Sequence, residues 1–386
     1  MKVSISSTMF KYLSIVAIFL LIASCSMSQN VLKQVSLSQN SKLSEVFSNP
    51  EKYEVQIIYS RIIRTDGAVE FEDYKYRVDA EAYFYPASTV KLPIAVLSLE
   101  KVNELSEEGI DIYKSTPYHL ENDSINHSIA NDIDAIFAVS DNDAYNRLFE
   151  FLGQDYINAK LKSKGLAPVR ISHRFSGEGS GDTLTKQMIF KTENGEFKLP
   201  VSNNAKADSL MIHDVIKGVG YIENEEKVDE PFSFAFKNYF PLETQHKLMK
   251  MLFFPGNFPK SKNFHIEPEQ MEFLKQAMAT LPGEAGYDEQ EFYDSYGKFF
   301  IYGDSKERIP SHIKIYNKVG YAYGTLTETA YITDEKNNIE FLLSASLLVN
   351  QNGIFNDGVY EYKHLGIPFL AELGRELHQK ELKRKK

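Results

Sequence analysis

Tyr85-Pro86-Ala87-Ser88-Thr89-Val90-Lys91 is the stretch on which the reading of this chain turns. After Ser88 the apolar residues Val90, Ile94 and Leu97 fall on one helical face, and the spacing predicts a helix running to about Leu105. Pro93 lies near its start, where a missing N–H costs least. Ser88 and Lys91 are one helical turn apart, so a hydroxyl and an amine emerge on the same face at hydrogen-bonding range. A serine hydroxyl is a poor nucleophile until a base takes its proton, and an amine can be that base only when neutral. From a reference pKa of ~10.4 this needs a fall of ~3 units, about 4 kcal/mol, which burial beside a second cation can supply. Alone, the pair also reads as a helix cap followed by a solvated lysine. The apolar helix changes that, because it carries Lys91 along a largely buried segment.

On the N-terminal side, Glu54 to Arg61 and Val69 to Val78 alternate as two strands around the turn Thr65-Asp66-Gly67-Ala68, which predicts a hairpin. On the C-terminal side, Ile129 to Val139 and Asp143 to Phe151 read as helices separated by Ser140-Asp141-Asn142, residues that prefer caps and turns. Gly153 ends the second. Towards the C-terminus Ile313 to Val319, Thr327 to Ile332 and Ile339 to Val349 predict three antiparallel strands, and Leu365 to Leu382 a closing helix. The least readable stretch, 190–310, holds helices at Glu243 to Phe253 and Pro268 to Ala279 and an acidic, aromatic region at Tyr287 to Phe300. Strands at both ends with helices between them predict an α+β fold, one antiparallel sheet completed by the two termini, covered by helices, with a helical lobe in the middle.

Two further tripeptides carry chemistry. In a serine acyl transferase without a histidine base the leaving nitrogen needs a proton, which a second serine such as Ser140 can relay, while Asn142 can hold a substrate amide and orient the lysine. Lys318-Val319-Gly320 ends a strand, where glycine admits a ligand's backbone to the edge and lysine offers positive potential to a carboxylate. Each is an ordinary loop or strand triplet by itself. Their order on helix, interhelical loop and strand is specific.

That ordered set resembles the penicillin-recognising serine enzymes, which carry Ser-x-x-Lys, Ser-Asp-Asn and Lys-Thr-Gly in this order, and most of all the class A β-lactamases. Tyr323-Gly324-Thr325 and Thr329-Ala330-Tyr331-Ile332 resemble the stretch after their Lys-Thr-Gly. The resemblance covers about Glu54 to Ser172 and Ile313 to the C-terminus, and implies an α/β/α sandwich beside an all-helical lobe, with the site at their junction. It implies Ser88 as nucleophile, Lys91 as its base or proton partner, Ser140 as shuttle, Asn142 as substrate ligand and Lys318 as carboxylate anchor, with the N–H groups of Ser88 and Tyr321 as oxyanion hole beside Gly320. There are three departures. Val319 replaces a threonine whose hydroxyl would help bind a carboxylate. The family's Glu-x-x-Leu-Asn loop, whose glutamate directs the deacylating water, is missing: aligned from Arg174, Ser176 takes its place, and Glu178 and Asp182 are the nearest acids. The third is the long 190–310 stretch, read as an insertion whose extra helices rim or gate the site.

Residues 1–24 read as an export signal, with Lys2 and Lys11 ahead of an apolar run, Tyr12 to Ala23, too short to span a bilayer comfortably. The only cysteine, Cys25, closes Leu21-Ile22-Ala23-Ser24-Cys25, which resembles the lipobox of bacterial lipoproteins, so intrachain disulfides are excluded and lipidation is expected. Several acyl chains give a durable anchor where one holds marginally. The expected organisation is signal 1–24, lipidated Cys25 and tether 25–45, and a catalytic domain 46–386, held by lipid on the outer side of a membrane in the cell envelope. The formal net charge of −10 gives a nucleic-acid partner no support. Nine histidines without HxH or HExxH spacing offer no metal site, and no cofactor is implied. The expected partner is a β-lactam or a cell-wall peptide. A cell-wall carboxypeptidase or penicillin-binding protein is the alternative within the family, and a non-catalytic envelope binding lipoprotein the alternative outside it.

Overall fold

The structure, a computed structural model, describes residues 30–121, 123–175 and 179–385, with the side chain of Lys385 left aside. The expected signal segment, Cys25, Ser176 and Glu178 lie outside the described residues.

The predicted hairpin is β1 (Gln56–Thr65) and β2 (Ala68–Tyr76), joined by Asp66 and Gly67, both at positive φ, as the right-handed twist of paired strands demands of a two-residue turn. The C-terminal strands are β3 (Ile313–Ala322), β4 (Thr325–Asp334) and β5 (Ile339–Leu348). All pair antiparallel in the order β3-β4-β5-β1-β2, so the two ends of the chain meet where Ile57 lies opposite Ala345. β2 is one edge and keeps its charged residues in water, which blunts edge-to-edge association. β3 is the other edge, and its last turn carries Lys318 and Gly320.

Helices α1 (Val31–Ser36) and α2 (Ser41–Ser48) begin the described chain, capped by the side chains of Asn30 and Asn40. Val31, Leu32, Val35, Leu43 and Val46 are buried in one core with Ile57, Phe341, Phe369 and Leu373, the last two from the closing helix α9 (Ile367–Lys385). This corrects the expected tether where it is described, over 30–45, and the domain start at 46: these residues already belong to the fold, because the short helices bury an apolar stripe that a tether would expose.

On the other side lie α3 (Lys91–Glu107), α4 (Ile129–Ala138), α5 (Asn142–Leu152), α6 (Gln154–Ser163), α7 (Leu242–Phe253) and α8 (Pro268–Ala279). They share one core in which Leu97, Ile133, Leu148, Leu248, Met249, Leu274 and Met278 are all buried. α7 and α8 fall inside the expected insertion yet build the core, so the expectation that extra helices rim the site is corrected. What borders the site from that stretch is loop: Phe236-Lys237 and Tyr296-Gly297. The fold is α+β, a helix-covered antiparallel sheet beside a helical lobe.

Candidate active site

The chain enters the site through Ala87, a non-glycine residue at φ +45°, into a short tight turn, Ala87–Val90, that runs on into α3. Thr89 locks this turn by donating its hydroxyl to Pro86 O at 2.7 Å. Ser88 is left partly exposed at its apex, while Lys91 is fully buried.

Ser140 sits between α4 and α5, also left-handed at φ +58°, and Asp141 caps α5 by accepting from the N–H of Ala144 at 2.7 Å. Left-handed non-glycine backbone costs on the order of 1 kcal/mol and persists only where the surroundings hold it. Both such residues flank the same cleft.

The Lys91 amine donates to Ser140 O at 2.5 Å and Asn142 Oδ1 at 2.7 Å, and lies 3.4 Å from Ser140 Oγ. Among the hydrogen bonds between described residues, none joins it to Ser88; the one-turn spacing puts both on one face, but the carbonyl and amide of the 140–142 loop claim the amine. The Lys318 amine reaches the same hydroxyl from β3, donating to Ser140 Oγ at 2.9 Å and to Val319 O at 3.0 Å. Burial draws the Lys91 amine down to about 7 against the opposing pull of Asp141 and Asp143. Lys318 is held well below the ordinary lysine value by burial and by the charges of Lys91 and Lys298. A neutral Lys91 amine has two N–H groups for Ser140 O and Asn142 Oδ1, and keeps a lone pair for a hydroxyl proton.

Gly320 is what lets the β3 edge approach the Ser88 turn. A Cβ there would lie 2.7 Å from Pro86 O, 2.8 Å from Ser88 N and 2.9 Å from Thr89 N, all rigid backbone. Gly320→Ala should therefore push Tyr321 N away from Ser88 N, with a stability loss of about 1–3 kcal/mol and a far larger fractional loss of acylation. Thermal unfolding together with penicillin-labelling rates would check it; equal labelling with unchanged stability would count against this contact. Val319, by contrast, packs into the sheet core, so the methyl group standing where a hydroxyl was expected is used for packing.

Ser88, Ser140, Asn142, Lys318 and Tyr321 line one cavity of about 300 Å³ with Tyr296 and Gly297. Ser88, Asn142 and Tyr321 also border a wider one of about 710 Å³, walled by Tyr85, His173, Phe175, Lys237, Tyr323 and Tyr360. A cavity of about 820 Å³ between α7, α8 and the sheet holds none of these residues and no activated nucleophile.

The loop after Arg174 is anchored from α5. Glu150 takes Arg174 in two hydrogen bonds of 2.6 and 2.8 Å, Asn146 pairs with both backbone groups of Phe175, and Tyr145 donates to His173 O. Asn142, Asn146 and Glu150 stand at i, i+4 and i+8; that polar ladder along one face of α5 is the sequence signal that could have pointed to the anchor. Asp182 is exposed, folded back towards Gly179, and lines neither cavity, so it is set aside as a site acid. His173 borders the wide cavity, but its Nδ1–H donates to Arg174 O and its Nε2 accepts from Asn238 N–H. Burial holds it neutral, its pKa drawn down to about 4.

A second serine–histidine grouping shows why geometry must precede motif. Ser60 Oγ lies 2.7 Å from His246 Nε2, and His246 Nδ1 2.8 Å from Ser344 Oγ. Ser60 and Ser344 are wholly buried and His246 nearly so, which excludes substrate. The group pins α7 to the sheet. Among the described residues no cluster of metal-ligating side chains occurs.

No curated protein matches the chain. Among solved structures it is similar to a β-lactamase from Sphaerobacter thermophilus, at 12% identity over 91% of this chain and 95% of that one with a TM-score of 0.49. It is also similar to one from Burkholderia ambifaria, at 12% identity over 86% and 95% with a TM-score of 0.48. For a class A β-lactamase from Mycobacterium abscessus the values are 13%, 88% and 98% with a TM-score of 0.48. A family model described as the beta-lactamase enzyme family matches residues 40–194, the part that carries both Ser88-Thr89-Val90-Lys91 and Ser140-Asp141-Asn142. Those two motifs lie inside the stretch that matches the beta-lactamase enzyme family, and the sheet edge brings Lys318-Val319-Gly320 against them.

Proposed function

We propose that this protein is a serine hydrolase that takes a β-lactam, or a related cyclic or peptide amide, onto Ser88. The observation that carries the proposal is the meeting of two buried amines, Lys91 and Lys318, on the Ser140 hydroxyl beside an accessible Ser88. Lys91, as the neutral amine, takes the Ser88 proton while Oγ attacks the carbonyl carbon; the N–H groups of Ser88 and Tyr321 face the developing oxyanion. When the C–N bond breaks, the Ser140 hydroxyl gives its proton to the leaving nitrogen and is reprotonated from Lys91, which closes the proton cycle. Asn142 orients the substrate amide, and Lys318 holds its carboxylate.

Incubation with a penicillin followed by intact mass over time tests this. A covalent adduct on Ser88 is expected; no adduct at any time would overturn the reading. A lasting adduct would favour the penicillin-binding-protein role, and one specific observation supports that second reading: no acid among the described residues lines either cavity next to Ser88.

We further infer that the mature chain begins at a lipidated Cys25 and is held at a membrane of the cell envelope by acyl chains alone. None of the described helices is long and apolar enough to cross a membrane. Changing Cys25 to Ala should release the protein to the soluble fraction; unchanged processing and fractionation would remove the lipid anchor from the proposal.

A further inference from the structure

Behind the site wall lies a buried charged group that the catalytic reading does not use. Lys298, on the loop next to Tyr296 and Gly297, is almost entirely buried and donates to Met278 O at 2.6 Å and Asn317 Oδ1 at 2.8 Å. The amide of Asn317 donates in turn to Gly297 O at 2.8 Å and to the Glu328 carboxylate, which also accepts from Phe300 N–H at 2.7 Å. Asn317 directly precedes Lys318 on β3, and Glu328 lies on β4 opposite Val319. The bonds of Lys298 and Glu328 are of the kind their charged forms make, an ammonium donating to carbonyl oxygens and a carboxylate accepting from N–H groups, with a neutral amide bond from Asn317 to Gly297 between them. Burying an acid and a base together is costly unless both are satisfied, and here they are.

We propose that Lys298, Asn317 and Glu328 form a positioning unit that fixes the Tyr296-Gly297 wall and holds the Lys318 ammonium against Ser140 with its charge balanced. The unit rests on the reading of Lys318 as the carboxylate anchor. Lys318 faces Lys91 from α3, Lys298 from the loop, Glu328 from β4 and the hydroxyl of Ser140; Asp141 and Asp143 stand beside Lys91, and Glu284 acts on Lys298. Burial draws Lys298 down to about 7 and pushes Glu328 up to about 8. As an ion pair they present no net charge to Lys318, whereas either one standing ionised alone presents its own: Lys298 lowers and Glu328 raises the Lys318 amine.

The two halves must therefore act with opposite sign. In full-length protein carrying isotope-labelled lysine, the side-chain nitrogen of Lys318 is followed by NMR as pH is raised. Lys298→Met leaves Glu328 facing Lys318 and should move its midpoint up by about one pH unit; Glu328→Gln leaves Lys298 and should move it down by a similar amount. The double variant should return it close to the parent. In penicillin labelling, the alkaline limb of KM should follow the same order, with kcat changed less. Shifts of the same sign, or none, would overturn the proposal, since a purely structural loss has no reason to change sign. If Lys298→Met does not fold, Glu328→Gln alone decides: a downward shift supports the unit, and no shift or an upward one overturns it. The NMR titration needs no substrate, so failure of any penicillin to label Ser88 would overturn the functional reading and leave this one standing or falling by itself.

Discussion

Ser88→Ala is expected to abolish covalent labelling by penicillins and Lys91→Ala to lower the acylation rate by roughly 10³-fold or more, while the double variant should lose little beyond either single one. The expectation follows from shared labour: Ser88 supplies the atom that forms the bond, and Lys91 is worth nothing to acylation without it. Non-additivity is the signature, and pre-steady-state labelling of the four proteins measures it. The pH profile gives a second, independent reading. Because burial draws Lys91 down to about 7, its neutral form is half populated near pH 7. Acylation should fall about tenfold for each pH unit below that point and level off above it. An acid limb centred several units away, or full labelling in Ser88→Ala, would remove these assignments.

Hydrolysis of a penicillin is expected to show a burst of about one product per enzyme and then slow turnover. Acylation has a base, but among the described residues deacylation has none: His173 is neutral with both ring nitrogens engaged, and exposed Asp182 folds back on its own loop. General-base catalysis contributes roughly 10²- to 10⁴-fold, so the ester accumulates where it is lacking. Glu178, outside the described residues, is the acid closest in sequence to the anchored His173-Arg174-Phe175 segment. Glu178→Gln slows the second phase only if this carboxylate directs the water, and Asp182→Asn leaves both phases unchanged. Rapid burst-free turnover, indifferent to both substitutions, would mean that neither acid activates the water and that a third group of the chain does.

Local pattern was enough to specify the elements and their contents. The hairpin at Asp66-Gly67, the helix after Ser88, the pair of helices around Ser140 and the three C-terminal strands each follow from periodicity, turn chemistry and capping. The residue order of Ser88, Lys91, Ser140, Asn142, Lys318 and Gly320 was legible for the same reason: a motif is a local pattern. Two boundaries were not. Residues 31–48 look polar, and their few apolar positions declare themselves only once α9 supplies a surface to bury them; α7 and α8, read as part of an insertion, prove to be core because α7 packs on β1, β4 and β5 and α8 on α3, α4 and β3, partners far away in sequence. Where charge goes was settled by the assembled chain. No pattern marks Lys298 for burial, and the lone acid of Thr327-Glu328-Thr329, although conspicuous in a central strand, names no partner. Spacing put Lys91 near Ser88, but competition among acceptors 49 and 51 residues along the chain directed its amine to Ser140 and Asn142. Local sequence dictates which groups are available, whereas desolvation and the choice among distant partners are properties of the folded whole.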